Sequence, residues 1–302
     1  MNNPLVSFNI LTYNRKNELA KTLGKIKEQN YKNYEIIVVD NNSSDGTEEM
    51  IKSNYKDIRY IRMNTNVGVS AWNEGFKVAK GEFVFVLDDD SYPLKTSIHE
   101  GLNYMSNHPK CGVLGYNVFN KLKQKSQTEA FPPKAWLFVG CGAMIRREVI
   151  ENVGYFDTNY FIYLHEMDYA IRVYDAGFTV DYAKELSLIH DQSLLSRGKN
   201  TRDPDTSHYI FYYTYLSFIT FLVLRFDKKY ALIYGIKYSL NRFIICFRYY
   251  YFFHFFKALA VNFFAIPRLL KQRKPVSREV QKFYNNGSTY LIDRMFFPNF
   301  RK

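Results

Sequence analysis

The chain has 302 residues and 47% apolar side chains, enough for a packed core and unlike a disordered protein. Three cysteines, Cys111, Cys141 and Cys246, are too few and too scattered for a disulfide framework or a cysteine-built zinc site, which suits a reducing compartment. The net charge of +12 is uneven: from Arg197 onward 19 Lys and Arg face 5 Asp and Glu, and with no nucleic-acid module beside this basic tail, nucleic acid is not expected.

At the N-terminus no basic and apolar leader precedes a cleavage site, so a cytoplasmic protein is expected. Residues 5–11 (LVSFNIL) read as a strand, 15–29 as a helix, 34–40 (YEIIVVD) as a second strand and 47–54 as a helix. A third strand follows over 58–63, a helix over 69–80 and a fourth strand over 82–88. Alternating β and α with continuous apolar strands predicts a mainly parallel sheet covered on both faces, with ligands beyond the carboxyl ends of the strands. Those ends are TYNR (Thr12 to Arg15), DNNSSDG (Asp40 to Gly46), NTNVG (Asn64 to Gly68) and DDDS (Asp88 to Ser91), four polar clusters expected along one edge as a nucleotide cleft. Neither GxGxxG after the first strand nor GxxxxGK[ST] is present. Three adjacent carboxylates at the tip of an apolar strand repel one another unless something positive sits among them, and a metal ion that also handles the phosphates is expected.

Further on, FTVDYAKELSLI reads as a strand interrupted by a turn. Residues 209–224 are apolar and aromatic for 16 positions before RFDKK interrupts, and from Tyr230 to Leu270 charges fall at Lys237, Arg242, Arg248 and Lys257. No uninterrupted apolar run of roughly 20 residues is present. Aromatic residues interleaved with Lys and Arg suit helices lying on an anionic membrane surface, with a helical subdomain packed on protein as the alternative. At about 100° per residue the four cations do not share one face, and Gly235 and Asn241 are the expected break points between shorter helices.

Together, PLVSFNILTYNRKNEL, YEIIVVDNNSSDGT, NVGVSAWNEGFKVAKGEFVFVLDDDSYP and VGCGAMIRREVIENVGYFDTNYFIYLHEMDYAIRVYDAGF resemble the family 2 glycosyltransferases of the GT-A fold. The likeness covers about two-thirds of the chain and is strongest to the bacterial branch of surface-polysaccharide rhamnosyl-, galactosyl- and galactofuranosyltransferases. It implies an α/β GT-A fold, Rossmann-like, with a mainly parallel sheet and helices on both faces. The catalytic domain would span 1–205, with a nucleotide-sugar half to about 92 and an acceptor half over 93–205, followed by an aromatic, basic, mainly helical extension over 206–302.

By the same resemblance Thr12, Tyr13, Asn14 and Asp40 hold the base and ribose of a nucleoside-diphosphate sugar; Asn66 and Gly68 are placed in the same cleft by their strand end, with plain loop chemistry as the alternative. Asp88, Asp89 and Asp90 match the DXD motif: Asp90 on a divalent ion, Asp88 and Asp89 toward ribose or metal-bound water. Mg²⁺ or Mn²⁺ is expected from oxygen ligation, and His190 stands where an imidazole reaches the metal or the diphosphate. On the acceptor side Glu166 stands where the family has an Asp base, and His165 where a Glu is common. Glu166 is the expected base and Asp168 the second candidate, both at a helix start. Gly140 and Gly142 resemble the acceptor and sugar pocket, although close strand packing explains glycines there equally well. Trp72 replaces an Arg of some relatives.

The expectation is an inverting, metal-dependent hexosyl- or deoxyhexosyltransferase. Its acceptor would be a hydroxyl of a growing cell-surface glycan on a lipid carrier, and the enzyme would sit peripherally on the inner face of the plasma membrane. A non-catalytic nucleotide-sugar-binding module of a membrane complex and a metal-dependent phosphodiesterase are the alternatives. A sugar nucleotidyltransferase would need a Gly-rich N-terminal loop that is missing.

Overall fold

A computed structural model of the chain describes residues 3–129, 131–192 and 204–284; the end of the basic extension, 285–302, and the 193–203 stretch leading into it lie outside the described residues. Strands β1 (Val6–Thr12), β2 (Tyr34–Asp40), β3 (Arg59–Arg62) and β4 (Phe83–Asp88) alternate with helices α1 (Lys16–Lys27), α2 (Thr47–Asn54) and α3 (Trp72–Val78). They pair in the order β3-β2-β1-β4, all parallel. The register sets Thr12 opposite Asp40 and Leu11 opposite Asp88, so the polar strand ends finish level on one edge.

The remaining elements are β5 (Ser91–Pro93), α4 (Ser97–Asn107), β6 (Cys111–Asn120), β7 (Lys125–Ser126), β8 (Ala143–Arg146), α5 (Arg147–Val153), α6 (His165–Asp175) and β9 (Thr179–His190). β4 continues antiparallel into β8, and the sheet runs on through β6, β9 and β5 with β7 beside β6. In this half only β6 and β9 pair in parallel, so the sheet is mixed rather than parallel throughout. β9 is one strand without the expected turn: Ala183 and Ser187 pair with the consecutive Tyr116 and Asn117, so a bulge absorbs the residues between.

Because successive strand residues point to opposite faces, the apolar runs of β1 and β4 serve two cores. Phe8, Ile10, Phe85 and Leu87 join Leu19, Leu23 and Ile26 of α1 and Ile98 of α4. Val84 and Val86 join α3, α5 and α6 on the other face.

The extension forms α7 (Pro204–Arg225), α8 (Lys228–Tyr249) and α9 (Phe252–Gln272). Phe211, Tyr215, Phe218, Phe221 and Leu222 of α7 belong to the same buried cluster as Val84, Val86 and Tyr169, so extension and sheet share one core. The break between α8 and α9 falls at Tyr250, a left-handed residue at φ 58°, and not at Gly235 or Asn241, which lie inside α8. Arg242 leaves the membrane-facing set as well: it is buried with its guanidinium 5.2 Å from the Phe211 ring and 3.2 Å from Thr214 Oγ1, while Lys237, Arg248 and Lys257 are exposed. α9 is long and apolar enough by length and composition to cross a membrane, despite the charge at Lys257 that argued against any such run.

Candidate active site

Part of the positive charge demanded by three carboxylates comes from the chain itself. Arg15 Nη1 lies 2.7 Å from Asp89 Oδ1 and 2.8 Å from Asp90 Oδ2. It reaches them from the β1–α1 turn, where Asn14 takes φ 52°, a left-handed value that Asn tolerates better than most residues. Asp89 also accepts from Thr12 Oγ1 at 2.9 Å and from the Tyr13 N–H at 3.4 Å, tying the end of β4 to the turn. Burial drives the Asp89 carboxyl upward, Arg15 pulls it back, Asp90 adds to the rise, and the group ends at about 7.

Asp90 is 2% exposed, and its Oδ1 lies 3.1 Å from His190 Nε2. Pairing of Ser91 with His190 across β5 and β9 brings the imidazole to the carboxylate edge, and Gln127 Nε2 stands 3.1 Å from its Nδ1. Asp88, Cys141 and His190 each offer a ligand atom within 4.8 Å of the others. Burial, reinforced by Asp88 and Asp90, pushes the Cys141 thiol well above its ordinary value. The oxygen and imidazole donors of Asp88, Asp90 and His190 fit a hard divalent ion without it.

Along the same edge Asp40 is fully buried and closes its own turn, accepting from the Ser43 N–H at 2.8 Å and from the Tyr60 hydroxyl. Asn14 Oδ1 accepts from the Ser44 N–H at 2.7 Å, and Tyr13 stays 46% exposed. Asn66 Oδ1 caps the Gly68 N–H at 2.9 Å. Gly68 is better explained by packing than by a ligand: at φ +67° a Cβ would lie 1.9 Å from the Phe161 carbonyl oxygen.

That contact shapes the other wall. Tyr163 and Leu164 are consecutive left-handed residues at φ 64° and 60°, a strained entry into α6. It is pinned by the Val69 N–H on Phe161 O and by Ser217 Oγ on Ile162 O, each at 2.9 Å. The turn presents His165 and Glu166 at the head of α6. Glu166 Oε2 lies 3.0 Å from His165 Nδ1, and Oε1 accepts from the Gly140 N–H at 3.3 Å. His165 stacks on Trp72, ring centroids 5.8 Å apart, and Trp72 Nε1 donates to Leu87 O at 3.2 Å. A Cβ on Gly140 would stand 3.2 Å from both Glu166 Oε1 and His165 Nε2, so glycine makes the seat for the carboxylate. Gly142, just before β8, is different, since its Cβ would lie 1.9 Å from Leu188 Cδ2 of β9; close packing there explains the glycine.

The model of the family described as glycosyl transferase family 2 matches residues 7–154, which include the DXD triplet and the Gly140 segment. The chain carries a family 2 glycosyltransferase domain. It is 29% identical over 182 residues to an uncharacterized glycosyltransferase of Rickettsia typhi, covering 55% of this chain and 57% of that protein. It is 36% identical over 104 residues to the Escherichia coli UDP-Glc:alpha-D-GlcNAc-diphosphoundecaprenol beta-1,3-glucosyltransferase WfaP, covering 33% of this chain and 41% of that one. The chain therefore spans about half the length of these curated relatives. Its fold is GT-A: the Pyrobaculum calidifontis mannosyltransferase PcManGT, solved with GDP-Man and Mn2+, superposes with a TM-score of 0.58 at 17% identity, covering 97% of this chain and 82% of that one.

Beyond the matched residues, Asp168 is occupied by structural partners. It is 0% exposed and holds Arg225 Nε at 2.6 Å, Arg172 Nε at 3.0 Å and the Tyr160 hydroxyl at 3.0 Å. The second candidate base is thus an ion-pair hub joining α6 to α7. Burial works to raise both acidic groups of this turn. His165 outweighs it at Glu166, and Arg172 with Arg225 outweighs it at Asp168, so both carboxyls fall below their ordinary values. Sequence reasoning missed Arg15, Cys141 and Arg225. Arg15 stood in the TYNR cluster and Cys141 between two singled-out glycines, but nothing local to Arg225 announces a partner 57 residues away.

Proposed function

We propose that this glycosyltransferase is an inverting, metal-dependent enzyme moving a sugar from a nucleoside-diphosphate sugar to a hydroxyl of a growing, lipid-linked surface glycan. The observation carrying this reading is the juxtaposition of Asp88, Asp90 and His190 on the strand edge with a partly exposed, ionised Glu166 seated under Gly140. Glu166 takes the proton of the acceptor hydroxyl as that oxygen attacks the anomeric carbon. The C–O bond forms on the face opposite the departing diphosphate, and one displacement inverts the centre. His165 orients the carboxylate; Thr12, Tyr13, Asn14, Asp40 and Asn66 border the space for base and ribose. A divalent ion, Mg²⁺ or Mn²⁺, held by Asp88, Asp90 and His190 would supply charge neutralisation for the leaving diphosphate.

Mn2+ and GDP-Man in the mannosyltransferase support the donor and ion, and the name of the Escherichia coli relative supports a polyprenyl-linked acceptor. In this reading residues 1–205 are the catalytic domain, with the nucleotide-sugar half to about 92 and the acceptor half over 93–205, and 206–302 are its helical extension. Exposed Lys237, Arg248 and Lys257 among exposed apolar residues of α8 and α9 support peripheral contact with the anionic inner leaflet. The test is nucleoside diphosphate release from UDP-, dTDP- and GDP-sugars with Mn²⁺, Mg²⁺ or EDTA, for wild type and Asp90→Ala. Release from one donor that falls at least about a hundredfold with EDTA and with the variant is expected. Undiminished release by folded Asp90→Ala in EDTA overturns the reading.

A further inference from the structure

Between α7, α8 and α9 lies a groove of about 640 Å³. Its walls are apolar, with Ile219, Leu222, Ile236, Leu240, Phe263 and Ile266 among them. The rim is apolar as well as exposed: Ile236 is 53%, Leu240 58% and Phe263 70% accessible. Gly235 opens the floor, where a Cβ would meet only Ile219 Cδ1, at 3.8 Å. From Lys228 to Phe243 the α8 wall extends roughly 20 Å.

Two polar features separate this groove from an unfinished core. Asn262 is 4% exposed and lines it, with Nδ2 buried and no hydrogen-bond partner among the described residues. Lys228 and Arg273 line one end, where antiparallel α8 begins and α9 finishes. Among the described residues neither pairs with a carboxylate: Arg273 Nη2 donates to Phe226 O at 2.6 Å, its Nε is buried without a partner, and neighbouring Asp227 lies 3.8 Å from Arg278. An apolar trough ending in two cations matches an amphiphile with one hydrocarbon chain and a phosphate. An isoprenoid, with a π bond in every repeat, also offers the buried Asn262 N–H a weak acceptor that a saturated acyl chain lacks. Lys228 at the cationic end follows Arg225 by three residues, and Arg225 grips α6, the helix that begins with His165 and Glu166.

We infer that the groove holds the isoprenoid tail of a polyprenyl-phosphate-linked acceptor, with its phosphate at Lys228 and Arg273. This rests on the lipid-linked acceptor proposed above. The experiment photolyses the full chain with geranylgeranyl phosphate carrying a benzophenone at its tail, then maps the labelled peptides by mass spectrometry. Label is expected on α8 and α9 groove residues. Farnesyl phosphate should displace it at least tenfold better than hexadecyl phosphate, and labelling should drop at least tenfold in Gly235→Leu and in Lys228→Glu.

Label landing elsewhere, equal displacement by the saturated chain, or undiminished labelling of folded Gly235→Leu overturns the inference. If Gly235→Leu does not fold, the wild-type map and the competition decide. A dimer by sedimentation with its groove unlabelled assigns the surface to a second copy and also overturns it. Nucleoside diphosphate release without acceptor is measured alongside: release with no groove label sinks the groove alone, and label with no release sinks the enzyme reading alone.

Discussion

Arg15 gives the carboxylate triplet a counter-charge that does not depend on any bound ion. Replacing it with Gln leaves Asp89 and Asp90 buried side by side, which costs about 3–5 kcal/mol by the usual penalty for breaking a buried pair. Millimolar Mn²⁺ should raise the melting temperature of that variant more than that of wild type, because the ion then takes over part of the role of the guanidinium. Glu166→Gln keeps the shape of the seat under Gly140 but cannot accept a proton; kcat should fall about 10²–10⁴-fold with donor KM nearly unchanged. Asp168→Asn behaves in the opposite sense. The depressed carboxyl of Asp168 stabilises the fold fully above its ordinary value of 3.8, and that contribution is lost as the pH falls through the lower folded value. Urea titrations should therefore show Asp168→Asn losing about 3–5 kcal/mol at neutral pH, with a flatter acid limb than wild type.

At the scale of elements, the approach of the segment entering β8 to Leu188 of β9, across β6, depends on the absence of a side chain at Gly142. Gly142→Ala should cost about 1–3 kcal/mol through overpacking, and Leu188→Ala in the same chain should restore part of it in a double-mutant cycle. How far such features could be read in advance depends on whether their cause is local. β2 and α2 occupy the expected residues, because Asp40 closes its own turn and Gly46, at φ 86°, starts the next helix. The triplet at the end of β4 was legible for the same reason, since its oddity lies within three adjacent positions. Gly142 was not, because strand packing and a ligand pocket ask for the same residue and only Leu188, from a distant strand, separates them. Nor was the α8–α9 break: Gly235 and Asn241 were reasonable breakers on propensity, but packing against α7 carries the helix through both, and the turn falls where Tyr250 turns left-handed. Glu166 lay between, recognisable by its motif while Asp168 two residues on remained an equal chemical type until its arginines were seen.

For the molecule as a whole, α7 is apolar and largely buried, with α6 on one flank and α8 and α9 on the other. A chain ending at residue 205 would expose the Tyr169, Phe156 and Val173 side of the core cluster. We expect that truncation to give an aggregating or loosely packed product by near-ultraviolet circular dichroism, with no separately stable catalytic domain. Membrane contact is therefore better tested on the intact chain by replacing Lys237, Arg248 and Lys257 with Glu and sedimenting with anionic vesicles. Loss of co-sedimentation in low salt, with unchanged melting, is the expected outcome.

The clasp of Arg225 on Asp157 and Asp168 has a consequence for anyone recombining this chain with its relatives. A graft that replaces α7 to α9 while keeping the first two hundred residues leaves Asp157, in the loop before α6, without its cation and Asp168 with Arg172 alone; the reciprocal graft buries a guanidinium with nothing to receive it. Either chimaera fails unless these three side chains travel together. The natural seam for exchange therefore lies before Asp157, inside what the linear order of motifs presents as a single catalytic segment.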